Sequence, residues 1–297
     1  MTGSDKKYTI YLLCSLSLAV VVMLWVSYSS QHQLEVDSYW FLLAMMFILS
    51  AFCEYVDNSI GMGYGTILLP LLLILGLQRQ ETVPAILSAQ LLAGVCGCIA
   101  HHREGNVNIR KNSNIHRALL ILGIPSFAGA VIASSLGITL SAQGQHWLNL
   151  YIGMMIAAIG LFLVIRKIKK RRQESKGGTL RLIILGLIAS FNKGVSGGGY
   201  GPLMTGGQLF SGIGGKEAIV ITNLCESFTC LVALVAWFAM GGKTDLLYTI
   251  ALCAGALLTV IPSAKTVKIL QGESLKQIIG WATLFLGLIT LFKWITT

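Results

Sequence analysis

Two glycine-rich runs, Gly61-Met62-Gly63-Tyr64-Gly65 and Gly197-Gly198-Gly199-Tyr200-Gly201, recur 136 positions apart without a gap, each set among membrane-length apolar segments. The register extends past the glycines. Leu73 answers Leu209, Gly76 answers Gly212 and Glu81 answers Glu217. Further on, Ile124-Pro125-Ser126 is matched by Ile261-Pro262-Ser263, and Ile152-Gly153 and Gly160-Leu161 by Ile279-Gly280 and Gly287-Leu288. The chain is one unit written twice. Interruptions at corresponding points of two apolar halves are the strongest sequence pointer to a transporter's binding site.

The remaining composition restricts the class. Of the 297 residues, 55% are hydrophobic and 11% charged, which leaves too little polar surface to cover a soluble body of this size. The apolar runs are continuous rather than alternating, so the expected fold is all-α and polytopic, not a barrel. The cysteines, including Cys96-Gly97-Cys98, fall in apolar stretches and read as small buried hydrophobes, with no disulfide framework. The histidines (His32, His101, His102, His116, His146) fall in loops or at span ends and read as solvated or interfacial. No metal site or cofactor is expected. The formal charge of +10 is explained by its distribution and does not imply nucleic acid.

The apolar segments run over 8–30, 39–60, 66–77, 82–100, 116–138, 146–165, 182–196, 202–213, 218–240, 246–264 and 275–295. The first follows Lys6-Lys7 and is too long for a signal-peptide core, so it reads as a retained helix. The stretches 66–77 and 202–213 are too short to cross a hydrocarbon core of about 30 Å unaided. Each follows a glycine run, so each reads as the second arm of a broken or re-entrant hairpin. The division is therefore 1–38, an N-terminal helix and external loop; 39–165, the first repeat; 166–181, a basic cytoplasmic linker; and 182–297, the second repeat. Residues near Thr66 and Pro202 are expected to begin the short arms.

Loop charge sets the orientation. Of the 22 Lys and Arg, all but Arg79, Lys243, Lys293 and the intramembrane Lys193 fall on one side of this trace, which becomes the cytoplasmic side of a cell inner membrane and holds the N-terminus. Three full crossings separate the hairpins, an odd number, so the two halves are expected to be inverted. Inversion places the broken elements face to face near the midplane, the arrangement used for alternating access.

Glycine-rich hairpins in two such halves resemble the sulfite exporter TauE/SafE family, also called the 4-toluene sulfonate uptake permeases. The family pattern is Gly-x-Gly-Gly-Gly, four residues, then Pro and apolar residues. Gly61-Met62-Gly63-Tyr64-Gly65 with Pro70-Leu71 fits it apart from Tyr64. In the second copy Gly206 stands at the proline position and Pro202 lies at the start of the arm. The resemblance covers about 40–296 and implies a transporter of small sulfur-containing anions such as sulfite or organosulfonates.

The residues suggest how an anion would be held. Glycines at a break let backbone N–H groups approach a ligand, and the short arm's N-terminus adds unpaired donors and the positive dipole end. The candidate substrate-binding set is Gly61, Gly63, Tyr64, Gly65, Thr66, Lys193, Ser196, Gly197, Gly198, Gly199, Tyr200 and Gly201, with Ser59 as a further neutral donor. For glycine the competing account is close helix packing; for the tyrosines it is contact between hairpins. Four charges, Glu54, Asp57, Lys193 and Glu226, lie in apolar segments, where an ionised group needs a partner. Asp57 and Lys193 are repeat equivalents of opposite sign, so they are expected to lie close across the pseudo-axis, either as a structural ion pair joining the halves or with Lys193 attracting the substrate and Asp57 as its counter-ion or proton partner. Gln90 and Glu226 are also equivalents. Asn223 stands one turn before Glu226 on a face expected to point inward, and proton coupling is considered for Glu226.

The functional expectation is a carrier for a small anion, embedded in the bilayer and not an enzyme. Nothing in the chain sets an oligomeric state. An inside-negative potential favours anion exit by about 2.3 kcal/mol per charge per 100 mV, so export is the expected direction. A passive anion channel would share the architecture. Gly194-Val195-Ser196-Gly197 resembles the Gly-x-Ser-Gly of intramembrane serine proteases, but that chemistry needs a histidine inside a span to take the serine proton.

Overall fold

The computed structural model describes residues 39–109, 113–139, 142–165, 178–196, 198–269 and 272–296. The expected 8–30 helix, and the linker up to residue 177, lie outside the described residues. Among the described residues the fold is all-helical, with five helices in each half. The first half holds α1 (Tyr39–Ile60), α2 (Tyr64–Ile74), α3 (Arg79–Arg103), α4 (Ser113–Thr139) and α5 (Ala142–Ile165). The second holds α6 (Gly178–Ser196), α7 (Tyr200–Phe210), α8 (Gly215–Ala239), α9 (Leu246–Ile269) and α10 (Gly272–Thr296). Four of them, α1, α3, α8 and α9, are long and apolar enough to cross a membrane by length and composition.

α2 and α7 have 11 residues each, about 16 Å of helix, half a bilayer core. They begin at Tyr64 and Tyr200, two residues ahead of the expected Thr66 and Pro202, because the chain re-enters helical geometry immediately after its positive-φ glycines. They also end alike. Leu77 N donates to Leu72 O at 3.1 Å and Ile213 N to Gln208 O at 3.0 Å, across Gly76 and Gly212. These are the six-to-one bonds of a Schellman ending, repeated in both halves.

Packing is exchanged between the halves. α1 lies along α9 and α6 along α4, while α3 meets both α8 and α9, and α8 meets α4. Small residues permit the approach, since helix contact in lipid relies on close van der Waals packing. A Cβ on Gly153 would stand 3.0 Å from a Leu291 methyl, and one on Gly287 would stand 2.8 Å from Ala157 Cβ. With Gly160 against Leu284, these contacts run α5 and α10 antiparallel. Gly94 does the same between α3 and α8, where an added Cβ would lie 2.9 Å from Asn223 O. Large side chains such as Ile124 on α4, Ile261 on α9 and Phe292 on α10 point outward.

Contacts at the two ends show which loops share a side. At one end Tyr39 OH donates to Asp245 at 3.3 Å and Thr244 Oγ1 to Glu81 O at 3.4 Å. At the other, Lys268 Nζ pairs with Glu104 Oε2 at 3.0 Å and Lys216 Nζ donates to Lys268 O at 3.1 Å. Both ends of the first hairpin thus lie with the α8–α9 loop. The α7–α8 loop lies at the opposite end, with the α3–α4 loop.

Candidate anion site at the paired helix breaks

Each break is made by glycine backbone that other residues rarely adopt. Gly61, at φ 76°, ends α1 and donates its N–H to Asp57 O at 2.6 Å; Gly199, also at φ 76°, is the residue from which α7 starts. The two breaks touch directly. Gly199 N donates to Thr66 Oγ1 at 3.0 Å, and Thr205 Oγ1 donates to Gly61 O at 2.6 Å. A Cβ on Gly201 would lie 2.6 Å from Met62 Cα, and one on Gly198 would lie 3.0 Å from Gly65 O. Gly61, Gly63, Gly65, Gly198, Gly199 and Gly201 are all buried. Gly197 and the Ser196 side chain lie outside the described residues, although Ser196 ends α6.

The two short arms are not equivalent. At α2 the Asp57 carboxylate accepts from Tyr64 N at 3.1 Å, so a negative side chain from the chain itself already sits at that helix N-terminus. At α7 the matching position is Lys193, and Gly199 has no side chain to cap the first turn. The positive end of α7 therefore starts on a glycine backbone with no side-chain cap, and the Lys193 ammonium is held by Glu226 and Gln90.

Lys193 does not form the ion pair expected with Asp57. Its Nζ lies 2.8 Å from Glu226 Oε1 and also donates to Gln90 Oε1, while Gln90 Nε2 donates to Glu226 Oε1 at 3.0 Å. The physical reason is where the halves cross. α3 and α8 meet at the repeat equivalents Gln90 and Glu226, whereas Asp57 sits beside the bend and reaches the Tyr64 amide. Lys193 is 1% exposed, so its charge depends on this partner.

The tyrosine hydroxyls are committed to packing seams. Tyr64 OH is 2.8 Å from Ser50 Oγ, which donates to Leu252 O at 2.6 Å between α1 and α9. Tyr200 OH is 3.3 Å from Ser126 Oγ, which reaches Gly186 O between α4 and α6. Both rings are buried and fasten their short arms to the exchanged helix pairs.

The spacing of the sequence did not reveal three further groups. Asn58 donates to Glu54 Oε1 at 2.8 Å and accepts from Asn223 Nδ2 at 2.6 Å, tying α1 to α8. His101, expected at an interface, is fully buried. Its Nε2 lies 3.0 Å from Asn58 O and its Nδ1 3.0 Å from Asn106 Nδ2. The carbonyl requires Nε2–H and the Asn106 amide requires a bare Nδ1, so the ring is neutral with both nitrogens engaged. The third group is a polar line on α7 and α8. Thr205 Oγ1 is 2.9 Å from Thr222 Oγ1, which accepts from Gln208 Nε2 at 2.8 Å. The repeat equivalents in the first half are Leu69, Leu72 and Ile86, so this line belongs to one half only. Ser59 is buried with an unpartnered hydroxyl among the described residues. No cluster of three or more His, Cys, Asp or Glu suited to a metal occurs among the described residues.

Comparison with known proteins adds two findings. A family model described as Sulfite exporter TauE/SafE matches residues 46–290. The chain is also 25% identical over 252 residues to a protein of Bacillus subtilis (strain 168) described as "Probable membrane transporter protein YtnM", covering 82% of this chain and 80% of that one. No solved structure gives a significant match.

Proposed function

The chain belongs to the sulfite exporter TauE/SafE family of membrane transporters, and from that premise we propose that it carries a small sulfur-containing anion, sulfite or an organosulfonate, bound at the N-terminus of α7 beside Lys193. The observation that carries this reading is the asymmetry of the breaks. Asp57 occupies the dipole end of α2, while the corresponding end of α7 starts on Gly199 and has lysine at the matching position. Oriented amide donors and a helix dipole suit the oxygens of sulfite or a sulfonate.

Alternating access is the proposed mechanism. Supporting it are the antiparallel pairing of equivalent helices, α3 with α8 and α5 with α10, and the emergence of the first hairpin at the end opposite the α7–α8 loop. These features suit an inverted repeat in which one half rocks against the other around the touching breaks. Export is the proposed direction. With the basic loops cytoplasmic, anions concentrate at the inner mouth within a screening length.

Purified protein in liposomes tests the reading. Saturable flux of sulfite or sulfoacetate is expected, and a Lys193→Ala variant that still inserts should lose it. Flux that rises linearly with solute would indicate a pore instead. Normal flux in Lys193→Ala would remove the lysine from the site.

A further inference from the structure

One buried acid in the cluster with Asp57, Lys193 and Glu226 lacks a full set of partners. Glu54 is 2% exposed; its Oε1 accepts from Asn58 Nδ2, and its Oε2 has no partner among the described residues. Asn58 Oδ1 accepts from Asn223 Nδ2, and Oδ1 of Asn223, a residue 3% exposed, also has no partner among the described residues. The chain of three side chains therefore carries an unfilled acceptor at each end. It is short of a donor. Buried polar networks are stable only when such groups are satisfied.

The surrounding charges deepen the deficit. Asp57 has the Tyr64 amide and the α2 dipole, and Glu226 has Lys193 and Gln90. Glu54 has only a neutral amide. The groups facing it are Asp57 and Cys53 on α1, Glu226 and Cys230 on α8, and Lys193 on α6. Tyr64 on α2 and Cys253 on α9 lie in the same neighbourhood, and neutral His101 on α3 is bonded to Asn58 O. Three carboxylates share one ammonium, and that ammonium is already paired with Glu226. A desolvated carboxylate without a cation is strongly disfavoured, so a proton is the expected remedy.

We propose that Glu54 binds a proton as co-ligand of the transported anion. The proton comes from water, forms an O–H bond at Oε2 and removes the uncompensated buried charge; no other bond changes. An anion at the α7 N-terminus adds negative charge to the cluster and so tightens the proton on Glu54. By reciprocity, the proton tightens the anion. Among the acids that the sequence put forward for coupling or ion pairing, Glu54, Asp57 and Glu226, Glu226 is the poorer choice because Lys193 neutralises it. A monovalent anion leaving with this proton crosses without net charge, so the membrane potential no longer acts on it and the outward anion gradient must exceed any inward proton gradient. The inference rests on the anion-carrier reading above.

The test uses the full chain in weakly buffered detergent solution with a pH-indicator dye and sulfoacetate, which does not titrate near neutrality. Over a series of rising pH, the wild type should at the alkaline end take up as much as one proton per anion bound, with affinity falling as pH rises. Glu54→Gln keeps the Oε1 acceptor and brings an NH2 donor. It should unfold thermally at or above the wild-type temperature and bind sulfoacetate with no proton uptake and no pH dependence. Binding without proton uptake in the wild type, or undiminished uptake in Glu54→Gln, overturns the proposal. So does binding that vanishes when sodium is replaced by choline at fixed pH. If calorimetry detects neither sulfoacetate nor sulfite on the wild type, the carrier reading itself fails and this inference fails with it.

Discussion

Replacing Lys193 by methionine separates its two roles when it is combined with a change at its partner. Lys193 Nζ sits 2.8 Å from Glu226 Oε1, with side-chain exposures of 1% and 6%, so the pair is desolvated. Removing the lysine alone leaves a buried carboxylate without its cation, a loss of about 3–5 kcal/mol. Against a typical total stability of about 5–15 kcal/mol, that is a large fraction. The apparent melting temperature of Lys193→Met should fall by of order 10 °C. In Lys193→Met/Glu226→Gln the charge is gone from both sides. The amide introduced by Glu226→Gln can donate to Gln90 Oε1 and accept from Gln90 Nε2, a reciprocal pair on the same axis. Stability should return to within about 1 kcal/mol of wild type, so the double variant recovers at least about 2 kcal/mol over Lys193→Met and the cycle shows strong coupling. Transport should not return. Thermal unfolding in detergent and sulfite flux in liposomes read the two effects separately. A double variant that regains both stability and flux would refute a substrate role for Lys193, leaving it only as the counter-ion of Glu226.

Two other substitutions probe the breaks. Asp57→Ala removes the acceptor for the Tyr64 amide and should cost about 1–2 kcal/mol, whereas Asp57→Asn keeps a side-chain oxygen there and should cost less; chemical or thermal unfolding would rank them. Gly201→Ala drives a Cβ to 2.6 Å from Met62 Cα and 2.8 Å from Gly61 O, so the breaks must part, at about 1–3 kcal/mol and with loss of flux. Gly76→Ala is the control. Its Cβ meets nothing within 4 Å, and the strain of φ 84° should cost about 1 kcal/mol while flux persists.

The parts legible in the sequence were those that depend on spacing. A fixed offset of 136 residues located both breaks, and the bounds of α1 followed from the apolar run ending at the first glycines. The same offset named Gln90 and Glu226 as equivalents, and they are the pair that meets. Asp57 and Lys193 lie within each other's field but make no direct ion pair, because equivalence in sequence does not place a residue on the axis; the crossing point of α3 and α8 does that. The burial of His101 was hidden for a related reason. Its place near a helix end looks interfacial, yet Gly97 lets α3 close on Asn58 of α1 and encloses the ring. The carboxylate cap at α2 was also out of reach, since it depends on the chain bending back at Gly61 so that Asp57 meets an amide seven residues on.

Titration calorimetry of sulfite, thiosulfate, sulfoacetate and sulfate into purified wild type and Gly201→Ala addresses the paired-break site most directly. The account predicts that at least one sulfur oxyanion binds the wild type and that the same anion loses at least about tenfold in affinity when Gly201→Ala forces the breaks apart. Unchanged affinity in Gly201→Ala, with the protein folded, would contradict it.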